Sequence, residues 1–156
     1  MAAEADGDNG SVEQRIADLK SELCEIVLAQ MEDMGPDLAF FDLKVLMTNR
    51  ISDIALTVTN RDGSAPALAP DERLEPLFRE LRGLQYIPGK GAWFSALVTN
   101  DREMRIMLKV NYDVDPMWYP PLSGSDFRED LEAYPRDEGY IPDWLAAIVI
   151  DTADSD

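Results

Sequence analysis

The residues able to carry chemistry in this chain are its carboxylates, because the sequence has no histidine and a single cysteine, Cys24. Without imidazole, Ser-His and Cys-His nucleophiles and histidine metal sites are all excluded, together with the commonest proton shuttle near neutral pH. Asp113 and Asp115, in YDVDP, lie two residues apart and would share one face of a persisting strand, where their oxygens could hold a hard cation. No EF-hand spacing follows, and two acids at a strand end are common on solvated edges. Cys24 sits in an apolar helical pattern with no activating cation adjacent, the setting of a small packed thiol. Pro88-Gly89-Lys90-Gly91 enters a strand and lacks the Lys-Ser/Thr pair and the helix of a phosphate loop, so it reads as a turn. No catalytic residue, cofactor or metal is expected.

A second pattern follows Tyr112. Asp113, Asp115, Asp126, Glu129, Asp130, Glu132, Asp137, Glu138 and Asp143 are interrupted by only two cations, Arg128 and Arg136, and are interleaved with Trp118, Tyr119, Phe127, Tyr134, Tyr140 and Trp144. In one reading the aromatics cap a core and the acids form its solvated face. In the other, Asp113, Asp115, Trp118, Tyr119, Asp126, Glu129, Asp130 and Glu132 make a docking surface for a basic protein, since interface centres favour Tyr and Trp and charges steer association. The two can share residues: Trp93 and Trp144 are assigned to the core, Trp118 and Tyr119 to the surface. The whole chain carries 31 acidic residues against 14 basic, formal net charge -17. That field opposes nucleic acid and anionic membranes and suits a basic partner, although excess carboxylate also keeps a small protein soluble.

These residues need a scaffold, and 156 residues suffice for one domain with a real core. Residues 1–10 read as a disordered acidic tail and 151–156 as a second acidic tail, around a single domain at 11–150. Ser11 and Gln14 have the spacing of a capping box. Val12, Ile16, Leu19, Leu23, Ile26, Val27 and Met34 then recur at helical steps until Gly35-Pro36. Phe41, Leu43, Val45 and Met47 alternate with polar residues, as do Ile54, Leu56 and Val58, predicting a hairpin over 39–59; Ser64 to Pro70 reads as a connector. Leu74, Leu77, Phe78 and Leu81 predict a helix ending at Gly83, with Pro76 in its first turn. A second hairpin spans 93–112: Phe94, Ala96 and Val98, a polar turn over Asn100 to Glu103, then Met104, Ile106, Leu108, Val110 and Tyr112. Ser125 or Asp126 would cap a helix through Tyr134, and Pro142 would open another carrying Trp144, Leu145, Ile148 and Val149. The expected fold is α+β: a four-stranded, mainly antiparallel sheet with the first and middle helices on one face and the short C-terminal helices at its end. One cysteine, no basic leader and no apolar run near the ~18 residues of a span point to a cytoplasmic protein.

Trp93 after a Gly- and Lys-rich turn, Val110-Asn111-Tyr112-Asp113 closing the last strand, and the acidic stretch SDFREDLEAYPRDEGYIPDWL occur in an order that resembles the YezG-like immunity family of bacterial polymorphic toxin systems, over roughly residues 12–146. The Pro- and aromatic-rich link from Pro116 to Gly124 departs from that pattern. The resemblance implies a small α+β immunity protein (antitoxin) that neutralises a cognate toxin, often a nuclease-type domain, as a monomer in a one-to-one complex. An acidic inhibitor can occupy the basic groove with which a nuclease holds phosphates. An acidic secretion chaperone holding an effector segment is the alternative, and a carboxylate-dependent enzyme the third class.

Overall fold

The computed structural model describes residues 2–103 and 105–155, with side chains for these except 2–9, 67 and 151–155. In chain order its elements are α1 (Ala2–Met34), β1 (Leu38–Met47), β2 (Ser52–Asn60), β3 (Ala67–Leu68), α2 (Leu74–Leu84), β4 (Ser95–Asn100), β5 (Ile106–Asn111), α3 (Gly124–Ala133), a 3₁₀ turn (Glu138–Tyr140) and α4 (Asp143–Ser155). This is the expected α+β fold. β1–β2 and β4–β5 are antiparallel hairpins, and β1 joins them by pairing antiparallel with β4. Ser64 to Pro70 is more than a connector, because Ala67 and Leu68 add a short strand to β2 and make the order β3-β2-β1-β4-β5. Met104, read as the first apolar residue of β5, lies outside the described residues.

Successive strand side chains point to opposite faces, so alternation sends Phe41, Leu43, Val45 and Met47 of β1, Leu56 and Val58 of β2, and Ala96 and Val98 of β4 to one side. There they meet Leu19, Leu23, Ile26, Val27 and Met31 of α1 and Leu74, Phe78 and Leu81 of α2, with Trp93 fully buried among them. The α1 backbone is helical from Ala2, so Ser11 lies inside the helix and is not its N-cap; Gln14 Nε2 donates to Asp18 Oδ1 at 2.8 Å instead of reaching back. Gly35, at φ 83°, ends α1 in the left-handed conformation that glycine adopts without a Cβ penalty. Pro76 falls in the first turn of α2, where its missing N–H costs nothing. Gly83 does not stop that helix; a Cβ on it would stand 3.2 Å from the Tyr134 hydroxyl, so its bareness admits the ring.

Asn100 was expected in a polar turn and is instead buried at the end of β4. The β1 register shifts between Leu38 and Phe40. Asn100 Oδ1 accepts from Phe41 N at 2.9 Å and its Nδ2 donates to Ala39 O at 3.2 Å, satisfying backbone groups beside that irregularity. The β4–β5 turn is closed by Asp101, whose carboxylate accepts from the backbone N–H of Arg105 and of Glu103 and from Arg105 Nε. These bonds, that from the Arg105 backbone foremost, hold its carboxyl below the usual range.

A second cluster sits at the end of the sheet. Phe94, Phe127 and Leu145 are buried, and Phe94, Phe127 and Trp144 meet edge-to-face with centroids 5.3–6.0 Å apart. The N-cap of α3 is Ser123, not Ser125 or Asp126: Ser123 Oγ accepts from Asp126 N, and Asp126 Oδ2 accepts from Ser123 N. The Pro88–Gly91 segment is a turn, as expected, and it also seats the chain after α3. Gly89 O accepts from Asp137 N at 2.7 Å, and a Cβ on Gly91, at φ 98°, would overlap the Arg136 side chain. Gly91→Ala is therefore expected to cost about 1–3 kcal/mol through backbone strain and displacement of Arg136. A urea titration checks this as a lowered midpoint with unchanged slope.

Candidate functional site

Two buried arginines organise the region that the acids and aromatics occupy. Arg82 follows Leu74 and Phe78 at helical spacing on the inner face of α2, and it is 2% exposed. Its Nη1 and Nη2 donate to the Asp130 carboxylate at 2.7 and 2.9 Å, and its Nε donates to Trp93 O at 2.6 Å. The guanidinium carbon lies 5.1 Å from the Tyr134 ring centroid. Arg136 also approaches Phe94, its guanidinium carbon 4.8 Å from that ring centroid. It donates to the carbonyls of Ala92, Tyr112 and Tyr140 and to Asp113 Oδ1. Burial pushes the Arg136 guanidinium down from its ordinary value, and the charge of Asp113 opposes that shift.

Beyond Tyr112 the chain becomes a braced link that leads to α3. Asn111 Oδ1 accepts from the backbone N–H of Asp113 and Val114, while its Nδ2 donates to Val114 O at 2.7 Å. Trp144 Nε1 donates to Asp113 O at 2.7 Å, and Asp115 Oδ1 accepts from Met117 N at 2.9 Å. Tyr119-Pro120 is a cis peptide, and Met117 stands at φ 60°. This bracing holds three apolar side chains outward: Val114 is 68% exposed, Met117 72% and Tyr119 91%. Met117 and Tyr119 overhang the uncovered face of the sheet, forming with Lys44, Leu46, Asp53 and Ala55 a groove of about 210 Å³. On the other side, Met117 and Trp118 line a groove of about 190 Å³ with Asp115, Pro121, Leu122, Phe127 and Ile148.

The eight residues read as a docking surface divide into three groups. Asp113, Asp115, Trp118 and Tyr119 all lie in the link, but only Tyr119 and Asp113 are open to solvent; Asp113 is 71% exposed at its side chain while paired with Arg136 at 3.3 Å. Trp118 is half-buried against the Phe94 and Phe127 cluster rather than displayed on the surface. On α3, Asp126 is used in the capping box, Glu129 pairs with Arg50 at 3.0 Å, and Glu132 is exposed. Asp130 is 2% exposed and committed to Arg82, so it does not belong to a surface. Trp93 lies in the core as expected, and Trp144 packs half-buried on the second cluster. Cys24 is half-buried, and burial pushes its thiol up, away from the reactive thiolate.

Val114 and Met117 were missed because isolated apolar residues in a Pro-rich link look like ordinary packing residues. Asp113 and Asp115 do not act as a pair, since one carboxylate faces Arg136 and the other caps the Met117 amide. Among the described residues no three His, Cys, Asp or Glu side chains gather as metal ligands, and no helix is long and apolar enough to cross a membrane. No protein-family model and no curated protein matches the chain.

Proposed function

We propose that this chain is an immunity-type inhibitor that binds one basic protein domain, of the nuclease-toxin kind, through the link and the sheet face it overhangs. The observation that carries the reading is the display of Val114, Met117 and Tyr119 on a hydrogen-bonded link, with Met117 in the left-handed region. Exposed apolar side chains cost solubility and a non-glycine residue at positive φ costs folding energy, so their retention on one rigid segment fits a docking site. Tyr119 would supply the aromatic anchor, and Asp113 and Glu132 the carboxylate rim. A formal charge of -17 would steer a basic partner to that rim, and a carboxylate rim can cover the groove in which a nuclease holds phosphates.

Affinity capture from host lysate with the tagged full chain, at low and high salt, tests the reading. One dominant basic protein, retained one-to-one and released as salt rises, is the expected result. A Met117→Gly/Tyr119→Ser variant should retain at least about tenfold less of it, a loss of roughly 1.4 kcal/mol. Its folding stability should stay within about 0.5 kcal/mol of the parent, because both residues are exposed and glycine relieves the positive φ. A stable homodimer that retains several secreted proteins at both salts would favour a secretion chaperone instead.

A further inference from the structure

The sheet has two edges. β3 borders one with two residues, while β5 leaves the other open along six, Ile106 to Asn111. Its register against β4 runs without a bulge over six pairs, and its sequence contains no proline. An open, regular edge presents unpaired N–H and C=O groups, which are a template for another strand. Ile106, Leu108 and Val110 remain half-buried on the inner face because the sheet ends at them. Beside them, between β5 and α1, lies an apolar cleft of about 170 Å³ lined by Leu23, Cys24, Val27, Val98, Ile106 and Leu108, with Lys20 also in its wall. A strand added to β5 would direct every second side chain toward this cleft.

The charges select the occupant. In a chain with 31 acidic residues, β4 and β5 contain none. Lys44, Leu97 and Lys109 are register partners across β1, β4 and β5, so the next place in that row faces Lys109. Arg105 is already held by Asp101 and Glu103. We propose that β5 and the α1 cleft form a strand-addition site for an extended protein segment with apolar residues at alternate positions and acidic residues between them. The apolar set fills the cleft, and a carboxylate pairs with Lys109. A second copy fits poorly, because its β5 offers Lys109 no carboxylate. A guarding lysine alone would explain the edge but not the cleft beside it. The site is separate from the Tyr119 surface and does not rest on the inhibitor reading.

The test titrates the full chain with a capped, fluorescein-labelled peptide of about nine residues that alternates valine with glutamate. Working near 0.15 M salt shortens the reach of the protein's negative field to about 8 Å. Saturable one-to-one binding is expected, with slowed hydrogen exchange of the β5 amides and unchanged exchange in β2. Lys109→Glu, an exposed change, and Cys24→Phe, which fills the cleft, should each weaken binding roughly tenfold, as should rearranging the peptide into separate valine and glutamate blocks. If Cys24→Phe fails to fold, Lys109→Glu and the block peptide decide. The proposal is overturned by absence of saturation up to about 1 mM peptide, a weak limit worth roughly 4 kcal/mol. Equal binding of the block peptide, unchanged β5 exchange, or a β5-dependent homodimer in sedimentation would overturn it equally.

Discussion

Replacing Asp130 by alanine should lower folding stability by about 3–5 kcal/mol, the cost of leaving a buried charge without its partner. Arg82 is locked by two bonds to that carboxylate and one to Trp93 O, and it is 2% exposed, so water cannot take the place of the lost oxygens without opening the core. A domain of this kind has about 5–15 kcal/mol in total, so the variant should retain only a fraction of its urea resistance. The double variant Arg82→Met/Asp130→Leu separates two contributions. It removes both charges at similar volume and should recover much of the loss, since a buried ion pair is often worth no more than a packed apolar pair. The Trp93 carbonyl would still lack its donor, so recovery stays incomplete by about 1–3 kcal/mol. A fall below about 1 kcal/mol for Asp130→Ala would mean that Arg82 finds water, and that the α2–α3 contact is looser than described.

Most of the scaffold is legible in the chain because burial on one side of a helix or sheet writes its period into the residues. Leu43, Val45 and Met47, or Leu19, Leu23 and Ile26, declare their elements without reference to anything distant. What pairs with what is less local. The β1–β4 pairing, which makes one sheet of two hairpins, joins Asp42 to Thr99 across more than fifty residues, and no turn signal encodes it. Asn100 looks like a turn residue because its role depends on an irregularity in β1 that only the assembled sheet creates. The Arg82–Asp130 pair did leave a trace. Arg82 continues the apolar series of Leu74 and Phe78 at a step of four, and Asp130 follows Phe127 by three, so each charge stands on the buried stripe of its own helix. Opposite charges on two apolar stripes are a signature of mutual burial. Reading Asp130 as surface followed from counting acids along the chain instead of placing them around the helix. The positive φ of Met117 had no trace at all, since methionine has no preference for that region.

Arg136→Met should cost about 3–5 kcal/mol and should act on one half of the molecule. The side chain is 1% exposed and donates to Ala92 O, Tyr112 O and Tyr140 O, each worth about 1–3 kcal/mol when left unpaired in a buried site. These carbonyls belong to three separate stretches: the entry to β4, the exit from β5 and the 3₁₀ turn before α4. Arg136 is thus the point at which the C-terminal helices are tied to the sheet. The principal core of α1, α2 and the sheet is a different cluster from that of Phe94, Phe127 and Leu145, so it retains its own burial when the tie is cut. Hydrogen exchange should accordingly speed up in α3, α4 and the 112–123 link, with β1 and β2 little changed. Arg136→Lys should not rescue the loss, because an ammonium is a point charge and cannot address four acceptors arranged around a planar fork. Uniform acceleration across both clusters would show instead that they unfold as one unit. The same residue bears on docking: Arg136 and Trp144 together hold Tyr112 and Asp113, where the link begins. Partner affinity in Arg136→Met should therefore fall with the order of the link even though Arg136 itself is buried beneath the proposed surface, whereas Met117→Gly/Tyr119→Ser weakens binding with the fold intact.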